Sequence, residues 1–76
     1  MNWLKSLFKT NYITKHGFLQ TEGSSRLESA TLYIYNNGLC VVEWCCVIFS
    51  VTRLSDVEYA LDGCNSYGFV KFLAIE

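Results

Sequence analysis

The sequence contains no proline, a single histidine, and only 17% charged residues. The lack of proline excludes a proline-rich linker and a collagen-like chain. The 51% hydrophobic content excludes a disordered tail. The few charges nearly cancel, with 6 Lys and Arg against 7 Asp and Glu for a net charge of −1. That balance argues against general nucleic-acid binding, which needs a basic face to displace counterions, and equally against an acidic DNA mimic. No signal peptide is visible, because Lys5 and Lys9 interrupt the first apolar cluster. The longest apolar stretch, Leu39 to Val51, holds Glu43 and is too short for a membrane span. No internal repeat is evident. Gly17, Gly23, Gly38, Gly63 and Gly68 stand singly, so no phosphate-binding glycine loop exists.

What the sequence does have is apolar and aromatic mass in a short chain. Seventy-six residues suit one domain, taken here as residues 1–76. A fold of this size removes only about 60–65% of the unfolded chain's surface from water. A 16% aromatic content therefore implies greasy surface that a monomer cannot readily hide. Charge is also unevenly placed. Through residue 26, Lys5, Lys9, Lys15 and Arg26 oppose Glu22 for +3. Beyond it, Arg53 and Lys71 oppose Glu28, Glu43, Asp56, Glu58, Asp62 and Glu76 for −4.

Local patterns predict an α+β domain of order α-β-β-β-α-β. In it, a mostly antiparallel sheet of three to four strands packs two short helices. Trp3, Leu4, Leu7 and Phe8 recur at helical spacing and predict an amphipathic helix over 2–10. Residues 11–22 alternate as a strand or strand pair, with Gly17 marking a bulge or bend. The β-branched and aromatic runs 29–35 and 39–50 flank Asn36-Asn37-Gly38, a hairpin signal. A two-residue Asn37-Gly38 turn sets Tyr35 opposite Cys40 and Tyr33 opposite Val42. One face then carries Tyr33, Tyr35, Val42, Trp44, Cys46 and Ile48. The other carries Ala30, Leu32, Ile34, Val41, Glu43, Cys45, Val47 and Phe49. A second helix is predicted over 54–63. Ser55 is its N-cap, Glu58 completes a capping box, Leu54 and Tyr59 form a staple, and Gly63 is the stop. Residues 67–75 form the last strand, apolar on both faces.

Cys40, Cys45, Cys46 and Cys64 lack the close C-x2-C pairs that converge on zinc, and adjacent Cys45 and Cys46 on one strand point to opposite faces. No metal or other cofactor is implied. The cysteines read as reduced thiols in a cytoplasmic protein. Cys64 follows the predicted helix stop in a polar loop and is the candidate exposed thiol. Glu43 interrupts an apolar strand, with Lys71 as a candidate partner. With His16 the lone histidine and no residue placed to orient it, enzymatic activity is not expected.

The expected function is a non-enzymatic protein-interaction domain, a small stand-alone binder or inhibitor of phage or mobile-element character that occludes a larger protein or pairs with a second copy. The expected interface is Tyr33, Tyr35, Val42, Trp44 and Ile48 with Trp3 and Phe8, since Tyr and Trp dominate interface hot spots. One alternative is a small-ligand or enzymatic site centred on Glu43, Cys64 and His16. Another is a membrane-peripheral arm in residues 1–10.

Overall fold

The β-branched and aromatic runs form strands, and so does the second half of the segment that carries the strongest helix signals. A computed structural model describes residues 11–23 and 26–75. Six strands follow in chain order: β1 (Tyr12–Thr21), β2 (Leu27–Tyr35), β3 (Cys40–Trp44), β4 (Val47–Arg53), β5 (Glu58–Leu61) and β6 (Phe69–Ala74). Each pairs antiparallel with the next, and β6 returns to pair with β1, giving a closed barrel. The predicted α+β architecture is therefore replaced by an all-β one among the described residues. The helix expected over 2–10, with Trp3 and Phe8, lies outside them.

The second helix fails for a reason visible in its own cap. The Ser55 hydroxyl accepts hydrogen bonds from the amides of Val57 (3.3 Å) and Glu58 (3.1 Å), as an N-cap would. The Glu58 carbonyl, however, accepts from the amides of Leu54 (2.9 Å) and Ser55 (3.0 Å), which closes a hairpin loop instead of opening a helical turn. A serine that bonds amides two and three residues on serves either structure. Tertiary pairing decides between them. As a strand, residues 58–61 bond β4 on one side and β6 on the other. As a helix they would leave both of those edges open, each a row of unpaired amides and carbonyls. Tyr59, assigned to a helix staple, is instead fully buried in the barrel.

The hairpin between β2 and β3 is present, but its loop has three residues. Gly38 has φ +93°, whereas Asn37 is not at positive φ, so the two-residue turn with both central residues left-handed does not form. The Gly38 amide bonds the Tyr35 carbonyl at 3.0 Å, and the Tyr35 amide bonds the Leu39 carbonyl at 2.8 Å. This is the three-residue loop that ends in a left-handed glycine. Ile34 therefore faces Cys40, Tyr33 faces Val41 and Leu32 faces Val42. The predicted register is off by one, and a one-residue slip moves every β3 side chain to the other face.

The run 39–50 is also not one strand. It folds back at Cys45-Cys46, whose φ values are +47° and +66°, so that Trp44 pairs with Val47 and Glu43 with Ile48. The two thiols are thus the tip of a hairpin and not opposite faces of a strand. Each non-glycine residue in this region carries a cost of about 1–2 kcal/mol.

The interior is filled from every strand. Leu19, Leu32, Val42, Phe49, Val51, Tyr59, Phe69 and Phe72 form its core. On β6 the plain alternation of the sequence is broken. Gln20 pairs with Lys71 but Thr21 pairs with Phe69, which leaves Val70 as the extra residue of a bulge. Phe69 and Phe72 thereby both point inward. Beyond β5, Asn65 holds the loop to β6 with its whole side-chain amide: its Nδ2 donates to the Phe69 carbonyl at 2.8 Å, and its Oδ1 accepts from the amides of Tyr67 and Phe69, each at 3.1 Å.

Closure depends on Gly17, which pairs with Ala74 across the β1–β6 seam. A Cβ there would lie 2.0 Å from the Leu73 carbonyl oxygen, 2.8 Å from the Phe72 ring and 2.9 Å from the Ala74 Cα. Two of these three neighbours are backbone, so the strands would have to part. Gly17→Ala is therefore expected to destabilise the fold by about 3 kcal/mol or more, read from the midpoint of a urea unfolding curve. An unchanged midpoint would show that the seam does not need the close approach.

Candidate functional site

With the strand edges paired into a ring, the outward faces of β1, β2, β3 and the start of β4 carry a row of side chains that have no part in the core. Register places them in rows. Tyr12 lies opposite Tyr35, Thr14 opposite Tyr33, and His16 opposite Thr31. Tyr33 then lies opposite Val41, Thr31 opposite Glu43, and Glu43 opposite Ile48. Tyr12 joins the row through tilted ring contacts with Tyr33 (centroids 5.6 Å) and Tyr35 (5.2 Å). Tyr12 is 46% exposed and Ile48 59%.

At the centre of this face, the Tyr33 hydroxyl donates a hydrogen bond to Glu43 Oε1 at 3.0 Å. Glu43 is half-buried on the outer face and does not meet Lys71, which pairs with Glu58. The bond raises the Tyr33 pKa above its ordinary value, and desolvation and the Glu43 charge push it the same way. An ionised phenol here would face a carboxylate it now donates to.

Beside this face is a cleft of about 390 Å3. His16 and Phe18 of β1, Ser29 and Thr31 of β2, Glu43, Trp44 and Cys45 at the end of β3, and Ile75 line it. Trp44 forms its inner wall. Its ring meets Phe69 (4.9 Å) and Tyr67 (5.0 Å) edge-on. Arg26 hydrogen-bonds Glu28 at 3.0 Å and holds that carboxyl below its usual range, with a smaller contribution from a Trp44 hydrogen bond.

The expected interface is thus divided. Tyr33, Tyr35 and Ile48 share the outer face. Val42 is fully buried, and Trp44 turns inward onto the aromatic cluster. The slip in the β2–β3 loop flips Val42 and Trp44 to the opposite side from Tyr33, and the turn at Cys45-Cys46 brings Ile48 back beside Glu43. Of the alternative set, Glu43 and His16 line the same cleft, while the exposed Cys64 lines a different one with Glu22, Asn65 and Val70. Cys45 takes the place expected for Cys64. Tyr12 is the interface candidate the sequence reading missed. Its signal was the period-two row Tyr12, Thr14, His16, Phe18, which puts it on the same face as His16. Cys45 offered only the length of the 39–50 run, roughly twice that of a usual strand.

Among the described residues, no group of three or more His, Cys, Asp or Glu side chains is arranged to hold a metal ion, and no helix is long and apolar enough to cross a membrane. Comparison with protein-family models, with curated proteins and with solved structures found no match. The inhibitor and phage-type reading, drawn from general character and tied to an α+β fold, therefore has no relative behind it and is set aside.

The Tyr33–Glu43 pair gives a direct test of this geometry. The folded-state pKa of Tyr33 is raised, so its stabilising contribution is complete below the ordinary tyrosine value of about 10 and is lost as pH rises through the folded value. In a ring-carbon NMR titration, with Tyr33→Phe used for assignment, Tyr33 should ionise above its ordinary value. Glu43→Gln should bring its midpoint down, since both the bond to a carboxylate and the neighbouring charge are gone. No change on Glu43→Gln would break the assigned pairing.

Proposed function

We propose that this protein is a non-catalytic interaction domain that binds another protein through the outer face of β1, β2, β3 and the start of β4. The single observation that carries the reading is the row of Tyr12, Tyr33, Tyr35 and Ile48 around Glu43, on a barrel whose core and strand edges are complete without them. Tyrosines present large, stiff, amphipathic area at low entropic cost and are enriched among interface hot spots. Glu43 supplies the one charge within the row, which suits a partner segment of apolar residues bearing a basic side chain. All four thiols are free, which is compatible with a reducing, cytoplasmic setting.

A second reading is favoured by the cleft itself. His16, Glu43 and Cys45 on one concave wall of about 390 Å3 suit a small polar ligand. The two readings differ in what they need: the first uses the tyrosine row, the second the cleft wall.

Photo-crosslinking in the native host separates them. A benzoylphenylalanine at Tyr12 or Ile48 is expected to capture one and the same protein, while the probe at Thr52, an exposed position outside the row, captures none. With that partner in hand, Tyr35→Ala should weaken binding by about 2 kcal/mol, roughly thirtyfold, with the circular dichroism spectrum retained. Equal capture from Thr52, or full affinity in Tyr35→Ala, would overturn the interface. A chain that captures only itself and doubles its mass in light scattering would make the partner a second copy.

A further inference from the structure

The two-residue turn between β3 and β4 has side chains that its backbone does not favour. Both central residues are left-handed, a conformation for which Asn-Gly is the usual choice, yet Cys45 and Cys46 occupy them. Both thiols are exposed, and the pair is fixed at its base by the Trp44–Val47 pairing. A second, independent feature is that Cys45 lines the cleft with His16 and Glu43, so a group attached at Cys45 has a concave wall beside it.

We infer that the Cys45–Cys46 turn is a dithiol site for a soft, sulfur-seeking centre held between two thiolates. Thiolates prefer soft ions and trivalent arsenic over hard cations. Consecutive Cα atoms are about 3.8 Å apart, below the usual range of about 4.4–6.8 Å across a disulfide. A direct S–S bond between neighbours is therefore strained. A bridging atom lengthens the span between the sulfurs and suits the site better. Among the described residues no third Cys, His, Asp or Glu completes a larger coordination set, so the two sulfurs alone hold the ligand. This site is independent of the tyrosine row.

An organoarsenical oxide is the probe. Two thiols react with one R–As=O: two As–S bonds form, the As=O bond is lost, and the oxygen leaves as water with both thiol protons. Arsenic stays trivalent, and nothing is oxidised or reduced. Titrating the reduced, folded full chain with p-aminophenylarsine oxide should consume one equivalent and remove two of the three exposed thiols. In the double variant Cys40→Ala/Cys64→Ser, one equivalent should remove both remaining thiols. Cys45→Ser and Cys46→Ser should each weaken binding at least about a hundredfold, because the second bond is no longer intramolecular. The variant Cys45→Asn/Cys46→Gly, which gives the turn its preferred residues, should keep the fold and lose the site. Unchanged affinity in either single variant, or intact-mass spectra in which the arsenical joins two chains, would overturn the inference.

Discussion

The structure depends on two strands approaching closely at one seam. A six-stranded sheet becomes a barrel only if its first and last strands meet, and here they meet where Gly17 lies against the Leu73 carbonyl. A side chain at that point would hold β1 and β6 apart. The sheet would then present two free edges, the aggregation-prone state that closure removes. Closure also defines an inside. Leu19, Leu32, Val42, Tyr59 and Phe72 all converge on one narrow core. The Val70 bulge on the same seam lets Phe69 join them out of phase with strict alternation. Glycine on one strand and an extra residue on the other are the two devices by which a flat ladder bends into a ring.

The same closure accounts for the two-faced apolar pattern that runs through the sequence. A two-faced strand usually implies layers on both sides. In this barrel one face is satisfied by the core, and no second layer covers the other among the described residues. The outer apolar residues Tyr12, Ile48 and Ile75 therefore stay exposed, at 46%, 59% and 63%. Their excess belongs to the outer surface and not to an unfinished core.

How far the sequence reaches can be judged from particular segments. Alternation located β1, β2 and β6, and Asn36-Asn37-Gly38 located a hairpin. The loop length was not legible, because Asn-Gly serves a two-residue turn and Asn-Asn-Gly a three-residue one equally well. That one residue decided which face Val42 and Trp44 occupy. Residues 54–63 misled for a deeper reason. Ser55 and Glu58 make local bonds common to a helix start and a loop, and only the open edges of β4 and β6 distinguish the two. The turn at Cys45-Cys46 is marked only by the length of the run around it, since neither residue favours positive φ. Of the candidate site, Tyr33, Tyr35, Ile48, Glu43 and His16 were legible. Their grouping was not, because it follows from register.

That last turn shows where local preference and global structure disagree most. A chain built for stability alone would place Asn-Gly between Trp44 and Val47, as it places a glycine at Gly38 one hairpin earlier. Both hairpins are enforced by the barrel, because β3 must reach β2 and β4 at once. The pairings on either side therefore hold Cys45 and Cys46 in a conformation they would not adopt alone, and the cost is borne by the cooperative fold. A strained position that persists because its surroundings over-determine it is also a rigid one. With the turn's backbone held this way, less of it has to be ordered when a ligand is captured between the two residues, which lowers the entropic cost. The closed ring that begins at Gly17 thus both creates the strain at the tip of β3 and holds the backbone that carries the two cysteines.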